Sequence, residues 1–233
     1  DSKPNVFTFT VTVTDNGLQG EGDFLSTSAI VKVTVKDVNE APELADVTFD
    51  VDENSPAGTV VGLLEAFDPD ANDVLKYSIL EGNTGSIFVL NATTGLITVR
   101  NSNSLNYEEM ENHKFELIVR VVDKGGLADT AKVTIVVNDI NDAPVIAAGQ
   151  KFEIFENNKN EAIVGEIHVS DEDGDVLTFD FLSLNAGTKA VDYFDLYTDG
   201  TISVKSGLQL DYETMPHVYE LKFSVSDGDT TIT

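Results

Sequence analysis

The 233-residue chain carries 41 acidic residues against 14 basic ones, a formal net charge of −27, and no cysteine. Phosphate contact needs Lys and Arg, so this balance works against nucleic acid and anionic membrane surfaces as partners, and the missing cysteine excludes disulfides, thiolate chemistry and Cys-based zinc sites. A hydrophobic fraction of 41% is enough to fill the cores of about two domains, and no apolar run approaches bilayer length.

In chain order, the first predicted strand is FTFTVTVTDNG (7–17), apolar at every second position and ending in Asp15 before a Gly turn. A second β-rich run, SAIVKVTVKD (28–37), leads into KDVNEAPEL (36–44). There follow VDENSPAGTVVG (51–62), AFDPDANDVLKYSIL (66–80), TTGLITV (93–99) and LNYEE (105–109). Next come FELIVRVVDKGG (115–126), TAKVTIVVND (130–139) and NDINDAPVI (138–146). The same pieces then return in the same order: IFENNKNEAIVG (154–165), VSDEDGDVLTFDFL (169–182), TDGTISV (198–204), LDYET (210–214) and YELKFSVSDGD (219–229). The period is about 100 residues, the size of a whole domain rather than a solenoid turn. No segment of useful length has a helical period, and the short runs are separated by Gly, Asn and Pro turn signals. The pattern predicts an all-β chain of tandem seven-strand antiparallel sandwiches. Residues 1–37 are predicted to be the last two strands of one repeat, 45–139 a complete repeat and 147–233 a nearly complete one, with linkers at 38–44 and 140–146. Residue 1 is thus expected to lie inside a domain, so absent targeting signals carry no weight.

The recurring acids fall at turns and unit ends. Glu53 and Glu156 follow the first β run of their repeats; Asp68 with Asp70, and Asp171 with Asp173, follow the second; Glu108 and Glu213 precede the strand that ends in Asp123 or Asp227. Turns favour Asp and Asn for their own hydrogen bonding, but an ordered set repeated with its spacing calls for a further cause. Carboxylates gathered at one place need countercharge, and a hard dication with oxygen ligands supplies it. Calcium takes about 6–8 oxygens, whereas magnesium keeps more of its water. His113, His168 and His217 are scattered and offer no zinc set. DEDGDVL (171–177) is not an EF-hand loop, because Val176 and Leu182 stand where Gly and Glu are required.

These motifs resemble the cadherin repeat, in an atypical or cadherin-like form belonging to a larger multi-repeat protein. DINDAP and DVNEAP resemble the interdomain Asp-x-Asn-Asp-Asn-x-Pro motif with one residue fewer, DENSP and FENN its first-strand Glu, the two Asp-x-Asp pairs its own, and LDYE and LNYE its Leu-Asp-Arg/Tyr-Glu. The resemblance implies a Greek-key topology, repeats joined end to end in a calcium-stiffened rod, and about three Ca²⁺ ions at the 139–144 junction. There Glu53, Asn106, Glu108, Asp142 and the Ile140 carbonyl would hold ions on the upstream side. Asn141, the Ala143 carbonyl, Asp171, Asp173 and Asp227 would hold the downstream ion, with Asp173 bridging. Asn106 replaces an Asp, so the outermost ion is expected to be the weakest. At the 37–42 junction Glu40 replaces the motif's Asp, and at least one ion is implied, from Asn39, the Ala41 carbonyl, Asp68, Asp70 and Asp123. Glu156, Asp211 and Glu213 would form half of a further junction.

The function implied is a calcium-dependent extracellular adhesion or spacer rod at the cell surface, its partners being adjacent repeats and a protein bound homophilically or heterophilically, with no membrane insertion by this chain. The alternative is a non-catalytic calcium-binding spacer, or a carbohydrate-binding module, in a bacterial surface adhesin or secreted enzyme. Aromatics are 8% with no Trp, which offers no evident sugar platform. Catalysis is not expected: paired carboxylates alone could serve a glycosidase, but there is no nucleophile elbow, His constellation or phosphate loop. Asn91-Ala92-Thr93 has the form of a glycan acceptor, a tripeptide that proves nothing alone.

Overall fold

The computed structural model describes residues 6–16, 24–70, 73–101, 105–182 and 190–233. Gly17 of the first predicted turn, and Ala71 and Asn72 of the second, lie outside them. The chain divides into two compact units. Unit 1 comprises Asp1–Leu105 and Asn112–Asn138; unit 2 comprises Asn106–Glu111 and Asp139–Thr233. The segment 106–111 lies inside the repeat predicted over 45–139, yet it groups with unit 2.

Unit 1 opens with an antiparallel hairpin, β1 (Val6–Thr14) and β2 (Ser26–Thr34). One face is apolar, with Phe7, Phe9 and Val11 opposite Val33, Val31 and Ala29, and every residue of both strands is exposed.

Seven strands then build a two-layer sandwich. They are β3 (Val47–Asp52), β4 (Val60–Leu63), β5 (Lys76–Glu81), β6 (Phe88–Leu90), β7 (Leu96–Val99), β8 (Lys114–Val122) and β9 (Ala128–Asn138). One sheet has the order β3-β9-β8-β5 and the other β4-β7-β6. The alternation in β8 and β9 sends Leu117, Val119, Val121, Val133 and Ile135 inward, where each is 0% exposed. All pairings are antiparallel except β3 with β9, which run parallel from Val47↔Val133 to Asp52↔Asn138. The last strand thus returns beside the first.

Unit 2 repeats the plan with shorter strands. β11 (Ile163–Glu166), β15 (Thr201–Val204) and β14 (Phe194–Leu196) form a sheet in that order, as β4, β7 and β6 do. β13 (Thr178–Phe181), β16 (Phe223–Ser226) and β17 (Thr231–Ile232) form another, as β5, β8 and β9 do. β10 (Val145–Ile146) pairs with β12 (Val169–Ser170), matching the isolated Glu43↔Phe67 bridge of unit 1. The core is Ile167, Phe179, Phe194, Ile202, Val204, Leu210 and Val225. The chain is therefore built of tandem β-sandwiches.

One packing device occurs in both units. β4 is bulged between Val60 and Gly62, and β11 between Ile163 and Gly165. A Cβ on Gly62 would run into the Phe49 ring, and one on Gly165 into the Phe152 ring. Glycine is needed at both positions because an aromatic ring lies across the bulge.

Candidate metal centre

The two junction segments of the linkers, 37–42 and 139–144, contain no regular strand. Each is anchored to its own unit by buried prolines, Pro42 and Pro144, and by two polar contacts of the same kind. In unit 1 the Asn39 amide donates to Asp123 Oδ2 at 2.7 Å, and the Glu40 N–H donates to Asp70 Oδ2 at 2.9 Å. In unit 2 the Asn141 amide donates to Asp227 Oδ2 at 3.1 Å, and the Asp142 N–H donates to Asp173 Oδ2 at 2.6 Å. Gly125 permits the first of these contacts, since a Cβ there would collide with the Asn39 amide.

Asp123 and Asp227 end their strands in matching turns. Asp123 Oδ1 accepts from the N–H groups of Gly126 and Leu127 at 2.5 and 2.8 Å. Asp227 Oδ1 accepts from those of Thr230 and Asp229 at 2.5 and 2.8 Å. Burial pushes the Asp123 carboxyl up, but the Asn39 amide and the N–H groups of Gly126, Leu127 and Gly125 outweigh it and hold the group below its ordinary range. For Asp227 the Thr230 N–H acts most strongly, and with Asn141 and the Asp229 N–H it overcomes burial. A carboxyl whose folded value is depressed adds stability that is present above its unfolded value and lost as pH falls through the folded one. Cation-free protein is therefore expected to lose stability on acidification below about pH 4. A carboxyl NMR titration is expected to place the Asp227 midpoint under about 3.9, rising in Asn141→Ala; a wild-type midpoint at or above that value would contradict this account.

The acids gather in small sets. Carboxylate oxygens of Asp68, Asp73 and Asp123 lie within 4.8 Å of one another, as do those of Asp37, Glu40 and Asp70 in the same unit. In unit 2 the same holds for Glu108, Asp142 and Glu172, and for the exposed trio Glu156, Asp211 and Glu213. Burial, followed by the charges of Asp70 and Asp37, pushes the Glu40 carboxyl up; burial, followed by Asp171 and Asp173, does the same for Asp175. The like-charge part of these shifts comes from carboxylates crowded together.

Two atoms test whether a cation fits. Asp68 Oδ2 and Asp171 Oδ2 are buried and have no hydrogen-bond partner among the described residues, and they occupy equivalent positions in the two repeats. A buried, unpaired carboxylate oxygen is costly. A hard dication with oxygen ligands satisfies it, so the residues present fit calcium.

The predicted residues are otherwise distributed as follows. Glu53 is 3% exposed and its N–H donates to the Asn138 carbonyl at 3.0 Å in unit 1. Asn106 in unit 2 donates to Glu172 Oε2 at 2.6 Å. The Tyr212 N–H donates to Glu156 Oε2, and the Glu213 N–H to Asp211 Oδ1, both at 3.0 Å. Ala41, Ala143 and Ile140 are exposed. Three acids that join the clusters, Asp37, Asp73 and Glu172, were absent from the predicted set. Asp37 and Asp73 lie within stretches already quoted, DVNEAP and AFDPDANDVLKYSIL, so position in the stretch was the available signal. Glu172, between Asp171 and Asp173, carried none.

Residues 47–138 match the family model described as "Cadherin domain". The chain is 31% identical over 96% of its length to Protocadherin Fat 4 of Homo sapiens, and 31% identical over 95% of its length to the Protocadherin-like wing polarity protein stan of Drosophila melanogaster. It spans 4% and 6% of those proteins. Among solved structures, human Protocadherin-24 EC1-2 (form II) is 22% identical with a TM-score of 0.64, covering 83% of this chain and 92% of that one. PcdhgB3 EC1-4 is 22% identical with a TM-score of 0.66, covering 95% of this chain and 53% of that one. These structures establish the fold. The chain belongs to the cadherin-repeat family, an adhesion family known to bind calcium. Among the described residues no helix is long and apolar enough to cross a membrane.

Proposed function

We propose that the chain is a calcium-stiffened stretch of an extracellular adhesion or spacer rod. The observation that carries this reading is the equivalent pair of buried, unpartnered oxygens, Asp68 Oδ2 and Asp171 Oδ2. Each stands in a turn whose neighbours already hold the linker. Asn39, Asp68, Asp70, Asp123 and the Ala41 carbonyl take at least one ion at the 37–42 linker; Glu40, at the place of the motif's Asp, adds a carboxylate there.

The 139–144 linker takes about three ions by the family motif. Asn141, the Ala143 carbonyl, Asp171, Asp173 and Asp227 serve the downstream ion. Glu53, Asn106, Glu108, Asp142 and the Ile140 carbonyl serve the others. Glu156, Asp211 and Glu213 offer a half-set for a further ion. Ligands drawn from a linker and its unit make order in the linker depend on the ion, and the Pro that follows each motif narrows the backbone further. The partner in adhesion is a protein surface, homophilic or heterophilic, with adjacent repeats completing the rod.

Calorimetric titration of the full chain with Ca²⁺ tests this. More than one equivalent is expected to bind. Asp171→Asn and Asp68→Asn are each expected to lose at least one equivalent while the β circular-dichroism signal is kept. Absence of binding at millimolar calcium, or binding unchanged in both variants, overturns the reading.

A further inference from the structure

We propose that Asn91 is an N-glycosylation site of the folded repeat. Asn91-Ala92-Thr93 is the single Asn-x-Ser/Thr tripeptide in the sequence, and its middle residue is not Pro. It occupies the turn between β6 and β7, with Asn91, Ala92, Thr93 and Thr94 all exposed.

The turn is ordered by its own polar groups. Asn91 N–H donates to the Leu96 carbonyl at 2.8 Å, and Gly95 N–H, from a residue with φ of 76°, donates to the Asn91 carbonyl at 3.0 Å. Asn91 Oδ1 accepts from the N–H groups of Thr93 and Thr94 at 3.0 and 3.1 Å. Those bonds use the side-chain oxygen and leave Nδ2, the atom to be modified, with no acceptor among the described residues. Asn83, in the preceding turn, shows the contrast: its Nδ2 donates to the Phe88 carbonyl at 2.8 Å, and it lacks the Thr two places on. The location also admits a bulky group. Asn91 directly follows β6, an edge strand of the order β4-β7-β6, so among the described residues no neighbouring strand lies on its outer side.

In the modification, Nδ2 bonds to C1 of an oligosaccharide carried on a polyprenyl diphosphate. The C1–O bond to the carrier breaks, the diphosphate leaves, and the Nδ2 proton passes to a base of the transferase. The extracellular setting of the family brings the chain through the compartment where that donor is found.

The test is secretion of the full chain from an insect or mammalian host behind a cleavable signal, followed by intact mass and peptide:N-glycosidase F treatment. Most molecules are expected to carry one enzyme-sensitive glycan, mapped to Asn91. Thr93→Ala keeps the Asn91 side chain and its backbone bonds but is expected to abolish occupancy, whereas Thr93→Ser retains it. Secreted wild type with the mass of the bare polypeptide overturns the proposal, and so does an enzyme-sensitive glycan that persists in Thr93→Ala.

Discussion

Calcium added to chelator-stripped protein at fixed ionic strength is expected to raise the melting temperature by about 10 °C or more. Each ion held by folded-state oxygens stabilises by about 2.7 kcal/mol when free calcium is about a hundredfold above the dissociation constant. For a unit of roughly 60–100 residues, each kcal/mol is worth about 4–8 °C. Asp68 with Asp123, and the equivalent Asp171 with Asp227, lie in separate units, so both transitions are expected to move. Ionic strength must be matched because monovalent salt also screens the repulsion of 41 acids. Magnesium at the same concentration is expected to shift melting much less, since it gives up its water reluctantly. A calcium shift no larger than the magnesium shift would count against the ligand sets named above.

The second large effect separates sequence pattern from burial. Phe9 and Leu117 hold the same place in the repeated strand, and each faces a Val across the hairpin, Val31 and Val133. Leu117 is 0% exposed, whereas Phe9 is 54% exposed. Leu117→Ala is expected to cost about 3 kcal/mol, through lost transfer energy and a cavity in a packed layer. That corresponds to a fall of about 15 °C in the unit 1 transition. Phe9→Ala removes a larger side chain but opens no cavity, and is expected to leave that transition within about 2 °C. Differential scanning calorimetry of the two variants checks both. Equal losses would show that the hairpin face is covered in solution.

Much of the fold was legible because alternation survives in the long strands. Phe115 to Val121 reads as one buried face, and the structure buries it. The neighbour of β3 was not legible, since alternation fixes which face a strand buries and not which strand lies beside it, so its parallel pairing with β9 had no signal. Phe152–Phe155 falls in no strand although its counterpart in unit 1 is β3. β3 pairs with β9 over six residues, while the matching β17 spans two, too short to template it. At the site, Asn39, Asp123, Asn141 and Asp227 were legible from the motif and come together in pairs. The roles of Asp73 and Glu172 depend on where turn side chains point, which spacing along a loop does not determine.

The linker contacts also set where a repeat begins. Asn39 and Glu40 bind the Asp123 and Asp70 carboxylates that follow them in the chain, and Asn141 and Asp142 do the same with Asp227 and Asp173. A linker is thus the leading edge of the repeat after it. A cut made before Asp37 or Asp139 keeps each linker amide on the same piece as the carboxylate it binds, whereas a cut made after Pro42 or Pro144 strands the amides on one piece and their carboxylates on the other. The natural grain of the chain for exchange, deletion or fusion therefore runs just ahead of the DVN and DIN triplets.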